Sequence, residues 1–185
     1  MDTHLDGNDK ARQFEEIALP HLDAAYNLAR WLTRNDQDAE DLVQAAFLRA
    51  FKFFKGFRGG DARAWLLTIV RHTYYTSLRD SRQQRADVGF DEEIHGQDDD
   101  ASAISIDAIG NRPENILASR DAKNAINQAL EKLPQIFREI VVLKDIDDWS
   151  YKEIAVIADI PIGTVMSRLA RGRKLLIEYL KHNGG

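Results

Sequence analysis

The sequence predicts an all-α protein built as two small helical domains joined by a flexible acidic linker. Three observations predict it. Apolar residues recur at helical spacings of one, three and four along most of the 185-residue chain, whereas the strict alternation of a half-buried strand never persists. Charge is segregated into blocks. Proline, glycine and capping residues fall where the periodic segments stop and start. A hydrophobic share of 44% with a charged share of 30% places the chain among soluble globular proteins, not disordered ones.

The first domain spans residues 11–86. Its first helix runs from about Phe14 to Thr33, with Pro20 as a kink or break. A second starts near Asp36, and Leu42, Val43, Ala46, Phe47, Ala50, Phe51 and Phe54 give it a continuous apolar face. Gly56, Gly59 and Gly60 interrupt the chain before a third helix that begins around Asp61. Trp65, Leu66, Ile69, Val70 and Thr73 form its buried stripe, with Trp65 assigned to the core. This helix is basic: residues 63–85 carry Arg63, Arg71, Arg79, Arg82 and Arg85 against Asp80 alone.

Residues 87–118 are the linker. Asp87, Asp91, Glu92, Glu93, Asp98, Asp99, Asp100 and Asp107 occur there with no Lys or Arg between them, so the segment repels itself and extends. The second domain occupies residues 119–182. Its first helix, about Ala118 to Leu133, buries Ala122, Ala125, Ile126, Ala129 and Leu130. Pro134 suits the first position of the next helix, which runs to about Lys144 with Ile136, Phe137, Ile140, Val141 and Leu143 apolar. A turn follows from Asp145 to Trp149.

Ser150 followed by Glu153 is a capping box, in which each side chain satisfies an orphan N–H at a helix start. It opens a short helix, Tyr151 to Ala158, whose Ile154, Ala155 and Ile157 face inward. Asp159-Ile160-Pro161 ends that helix, because the residue before proline is driven out of the α region. A new helix starts around Ile162 and buries Val165, Leu169 and Leu176. Short helix, tight turn and second helix form a helix-turn-helix. The outer side of the second helix then presents Thr164, Ser167, Arg168, Arg171 and Lys174 at spacings of three and four. Arginine can chelate a guanine edge, and the others can reach bases or phosphates. Gly172 in mid-helix costs about 1 kcal/mol relative to alanine, offset where the backbone lies near DNA.

Other chemistries find little support. There is no cysteine, so disulfides and thiolate sites are excluded. His4, His21, His72, His95 and His182 share no ligand spacing, and neither metal nor cofactor is expected. No apolar run approaches the roughly 18 residues of a membrane span. The start of the chain is polar and acidic, without the apolar core of a secretory signal. The expected location is the cytoplasm, with no membrane insertion. No nucleophile–base pair or phosphate-binding glycine loop stands out, so no enzyme activity is expected.

Asp38 to Phe51, Phe57 to Tyr75, and Trp149 to Ala155 continued by Gly163 to Arg173 resemble, in order and distance, segments of the extracytoplasmic-function sigma factors of the sigma-70 family. The resemblance implies a sigma region 2 bundle followed by a region 4 helix-turn-helix, and a subunit that brings RNA polymerase core enzyme to promoters, often in a stress response. By likeness, Asp41, Gln44, Leu48 and Lys52 meet the clamp helices of the largest polymerase subunit. Arg71, Tyr74, Tyr75, Arg79 and Arg82 hold the −10 strand, where arginines grip phosphates and aromatics stack on unpaired bases; one of the two tyrosines is expected to complete the core. A loop from about Arg79 to Asp91 corresponds to the pocket for an extruded base. Thr164, Ser167, Arg168, Arg171, Arg173 and Lys174 read the −35 duplex. An anti-sigma factor is the expected regulator, and the free chain is expected to be a monomer. Met166 stands where the family often has a basic residue, and His72 where asparagine is frequent, so both point to a shifted promoter preference.

Two rival readings remain beside this one: a helix-turn-helix regulator that acts without polymerase, and a sigma-like decoy that only captures an anti-sigma factor. The first leaves residues 11–86 without a task, and the second has no need of Arg79, Arg168 and Arg171. The linker either threads the channel that RNA later occupies or serves as a spacer. Threading predicts that neutralising Asp98, Asp99 and Asp100 changes the ratio of abortive to full-length RNA while promoter binding stays constant, as run-off transcription would reveal.

Overall fold

A computed structural model of the chain describes residues 3–86 and 116–183. Every regular element among the described residues is helical: α1 (Thr3–Ala18), α2 (Leu22–Thr33), α3 (Asp36–Phe53), α4 (Ala62–Ala86), α5 (Ile116–Lys132), α6 (Gln135–Val141), α7 (Tyr151–Ala158) and α8 (Ile162–Asn183). The chain divides into two compact units, one holding α1–α4 and the other α5, α6, most of α7, and α8.

In the first unit, Pro20 lies in a 3-10 turn, Leu19–His21, that separates α1 from α2. The proline ring and missing N–H break the helix there, so the segment expected as one helix is two, and α1 begins as early as Thr3. Between α2 and α3 the chain reverses in two residues. Arg34 is left-handed at φ 62° and donates its N–H to the Arg30 carbonyl at 2.8 Å. Asn35 then caps α3, its side-chain oxygen accepting the Asp38 N–H at 3.1 Å.

Helices α2, α3 and α4 pack on one another. Alanines make the approach close: Ala25 and Ala29 on α2 and Ala39, Ala46 and Ala50 on α3 are all fully buried. Leu28, Leu32, Leu42, Val43, Leu66, Leu67 and Val70 fill the space around them. Phe14 of α1 closes one end, meeting Phe47, Phe51 and Phe54 edge-on at centroid distances of 6.2, 5.3 and 5.5 Å. Gly59 and Gly60 take φ values of 85° and 98°, open to glycine at little cost, and Asp61 then caps α4 by accepting the Ala64 N–H at 3.0 Å.

Two details of α4 differ from expectation. Its buried stripe is Ala64, Leu66, Leu67 and Val70, while Trp65, Ile69 and Thr73 are half-buried. Trp65 lies against Phe57 at 4.8 Å and Phe54 at 6.4 Å, with the aromatic cluster covering only part of the indole. Residues 79–86, expected to enter a loop, continue the helix; nothing between Ser77 and Ala86 breaks it, and leucine, arginine, glutamine and alanine favour it. The remainder of that expected loop, 87–91, lies outside the described residues.

In the second unit the described residues start at Ile116, and Ile116 to Ala118, expected in the linker, are helical; 87–115, including all eight linker acids, lies outside the described residues. On α5, Ala129 and Leu130 are buried, and Leu133 just beyond it is too; Ala125 and Ile126 are half-buried and Ala122 is exposed. Pro134 stands one position earlier than expected, capping α6 in an extended conformation (φ −52°, ψ 140°). Helix α6 ends at Val141 and widens into a π-helical turn, Val142–Ile146, where a uniform α-helix to Lys144 was expected. The Asp147 N–H reaches back five residues to the Val142 carbonyl at 3.0 Å. Arg138 and Glu139 are buried at 3% and 1% exposure, which the amphipathic reading of α6 did not anticipate.

Helices α5 and α6 both pack on α8, whose Val165, Leu169 and Leu176 are buried as the pattern requires. Gly172 belongs to this contact. A Cβ there would lie 2.7 Å from Val141 Cγ2 and 3.2 Å from Phe137 Cβ, so the glycine is required by close approach of α8 to α6, not by approach to DNA. Gly172→Ala is therefore expected to destabilise the fold by about 1 kcal/mol, overpacking outweighing a helix-propensity gain of similar size. In a Val141→Ala background the same change is expected to stabilise, a reversal that urea melts of the four proteins would measure.

Candidate nucleic-acid interface

The helix-turn-helix is built by local chemistry. The Ser150 N–H donates to Glu153 Oε2 at 2.7 Å, and the Glu153 N–H donates to Ser150 Oγ at 3.3 Å. Both halves of the capping box are thus formed at the start of α7. At its far end Asp159 turns left-handed at φ 52°, and the Ile160 N–H returns to the Ala155 carbonyl at 3.1 Å. The Pro161 carbonyl then accepts the N–H groups of Thr164 and Val165 at 3.0 and 3.1 Å, starting α8. Ile154, Ile157 and Ala158 of α7 are buried; Ala155, expected to be so, is half-buried.

With Val165, Leu169, Gly172 and Leu176 holding one side of α8, the opposite side is set. Ser167, Arg171 and Lys174 are exposed there, and Thr164 and Arg168 half-buried. Ser167 Oγ donates to the Thr164 carbonyl at 3.2 Å. The Arg171 guanidinium lies 6.0 Å from the Phe137 ring, so a residue of α6 helps to place it. Arg173 is the member of the expected set that α8 does not bring to this side. Two residues from Arg171, it points roughly 160° away, and its guanidinium forms a two-pronged ion pair with Asp145, Nε to Oδ2 at 2.9 Å and Nη2 to Oδ1. Hydrogen bonding to Asp145 raises its pKa above the ordinary arginine value, against the opposing effect of burial. A raised folded-state pKa means a stabilisation present at every pH below the unfolded value, and for arginine that includes all working conditions.

On α4, Arg71, Tyr75, Arg79 and Arg82 follow one another at spacings of four, four and three, on one side of the helix. The Arg71 guanidinium lies over the Tyr75 ring at 4.5 Å, and Tyr74 meets Tyr75 edge-to-face at 5.3 Å. Both tyrosines are half-buried, while Arg79 and Arg82 are exposed. Tyr74 continues the spacing of the buried Leu67 and Val70, whereas Tyr75 shares its side with the arginines. Cation-backed aromatic surface of this kind suits unpaired bases.

A third surface lies along α3. Asp41, Gln44, Leu48 and Lys52 form an exposed strip opposite the buried alanines, with Leu48 72% exposed. Gln37 Nε2 donates to Asp41 Oδ1 at 3.4 Å along the same strip. Phe53, 57% exposed with Lys52 Nζ 5.9 Å from its ring, adds an aromatic that sequence periodicity did not single out. Among the described residues no cluster of His, Cys, Asp or Glu is placed to hold a metal ion, and no helix is long and apolar enough to cross a membrane.

Two basic or aromatic faces on helical domains, one of them a helix-turn-helix, define a nucleic-acid-binding protein, and comparison with known proteins narrows the class. The family sequence model for Sigma-70 region 2 matches residues 17–84, and that for Sigma-70, region 4 matches residues 123–176. An ECF RNA polymerase sigma factor, SigE of Mycolicibacterium smegmatis, is 34% identical over 92% of this chain, which spans 63% of that longer protein. SigW of Bacillus subtilis is 33% identical over 91% of this chain and 89% of its own. The solved complex of the sigma factor RpoE with the anti-sigma factor NepR from Bartonella quintana aligns with a TM-score of 0.66 and 29% identity, covering 92% of this chain and 98% of that one. CnrH, solved with the cytosolic domain of CnrY, shares the fold at a TM-score of 0.60 and 22% identity. The chain belongs to the extracytoplasmic-function sigma factors of the sigma-70 family.

The capping box gives a direct check on how α7 is held. Ser150→Ala is expected to lower stability by about 1 kcal/mol, read as a shift of the thermal midpoint, with Ser150→Asp retaining most of it.

Proposed function

We propose that this protein is a sigma subunit that directs RNA polymerase core enzyme to promoters. The observation that carries the reading is the match of both sigma regions, at residues 17–84 and 123–176, in one chain. Its second domain engages the −35 duplex through Thr164, Ser167, Arg168, Arg171 and Lys174, with the N-terminal half of α8 at the major groove. Its first domain holds the opened −10 strand. Arg71, Arg79 and Arg82 attract phosphates, and Tyr74 and Tyr75 supply stacking surface. The α3 strip of Asp41, Gln44, Leu48 and Lys52 meets the clamp helices of the largest polymerase subunit. This arrangement uses the chain's own residues for binding and positioning only, and polymerase supplies the chemistry.

The relative RpoE, solved with the anti-sigma factor NepR, supports control by sequestration, and the protein acts where polymerase does, in the cytoplasm. A regulator working without polymerase would leave the exposed α3 strip unused and is not favoured.

Transcription from a promoter library with core polymerase, with and without this protein, is the experiment that tests the reading. Protein-dependent start sites sharing two spaced sequence elements are expected; no new transcripts from a folded protein and an active core would refute it. Within the same assay Leu48→Asp is expected to reduce core binding by tenfold or more (about 1.4 kcal/mol per decade) while leaving the melting temperature in place, because Leu48 buries little in the free chain. Arg171→Ala is expected to weaken promoter binding and reduce the salt slope by about one.

A further inference from the structure

Arg173 and Asp145 are 28 residues apart and come from α8 and the π-helical turn after α6. Their side chains are only 21% and 19% exposed. Both prongs of the guanidinium are used, and arginine–carboxylate pairs of this form fix orientation as well as distance. Asp145 is five residues before the Ser150 cap that opens α7. Between them the chain is held at several points. Lys144 Nζ lies 3.3 Å from Asp148 Oδ1, the Trp149 N–H donates to the Leu143 carbonyl at 2.9 Å, and Trp149 is buried. The ion pair ties this braced turn directly to α8.

We propose that Arg173 is a positioning residue for recognition of the −35 duplex, acting through Asp145 and not by touching DNA. The inference rests on the sigma-factor reading and refines it. The pair fixes the rotation of α8 against the turn that launches α7, and so aims Arg168, Arg171 and Lys174. A positive charge at position 173 is not sufficient for this role; the forked geometry is.

The test uses holoenzyme assembled from the full chain and core polymerase, binding a promoter obtained from the library, across a range of salt concentrations. Arg173→Ala and Asp145→Ala are expected to weaken binding by similar factors, about tenfold (1.4 kcal/mol). The double variant is expected to be no worse than either, and any fall in salt slope to be shared by Asp145→Ala, which removes no cation. Arg173→Lys, which keeps the charge and loses the fork, is expected to behave like Arg173→Ala, and it serves as the reading if the alanine variant does not fold. Exchanging the partners, Arg173→Asp with Asp145→Arg, is expected to restore part of the loss. A direct phosphate contact predicts the opposite pattern. Asp145→Ala would then bind as well as or better than wild type, Arg173→Lys would retain binding, and Arg173→Ala would lower the salt slope by about one. That pattern, or wild-type binding by all variants, overturns the proposal. Failure of the wild-type holoenzyme itself to bind would instead overturn the sigma reading on which it rests.

Discussion

Everything the second domain can offer to DNA depends on how deeply α8 settles onto α6. A helix that is seated along one side and read along the other needs its rotation fixed to within a few tens of degrees, since each residue turns it by about 100°. Leu169 and Leu176 bury apolar area but tolerate some roll. Gly172 does not: the space between α8 and Val141 and Phe137 has no room for a methyl group. That contact sets distance, and the Arg173–Asp145 pair resists rotation. With both in place, the polar residues at 164, 167, 168, 171 and 174 have a single direction in which to face.

The first domain solves a related problem with different residues. Fully buried alanines on α2 and α3 bring those backbones together, and this frees the far side of α3 from any packing duty. Leu48 can then remain exposed without loss to the core. On α4 the order is sequential: Ala64 to Val70 pack, while Arg71 to Arg82 carry charge and aromatic surface. One continuous helix thus passes from a packed half to a basic and aromatic half, and the Arg71–Tyr75 stack lies at the junction.

How much of this was legible in the sequence depended on how local each cause is. The bounds of α7 are recoverable because a capping box and a proline mark its ends within a few residues. The division into two helical units is equally visible, since periodicity and charge segregation operate along the chain. The exposed α3 strip and the arginine side of α4 follow from helical spacing alone. What sequence reasoning missed arises from contacts distant in the chain. Gly172 looks like a defect until Val141 is found beside it. Arg173 looks like one more cation on a basic helix, and only its partner 28 residues away separates it from Arg171. The burial of Arg138 and Glu139 reflects the central place of α6, which an amphipathic pattern cannot express. The membership of Trp65 in an aromatic rim likewise depends on Phe57, across the glycine turn.

The π-helical turn at Val142–Ile146 holds one more residue than an α-helical turn would. Such a turn makes the chain's spacing there non-negotiable. Removing a single residue would let α6 run on as regular helix, swinging the downstream chain by about 100° and carrying Asp145 away from Arg173. Point substitutions in this stretch change the strength of contacts, whereas a one-residue deletion changes which side of the molecule they occur on. Among homologous chains, alignment gaps within this turn should therefore be far rarer than substitutions, and any chain that carries one should have lost the arginine–aspartate pair together with it.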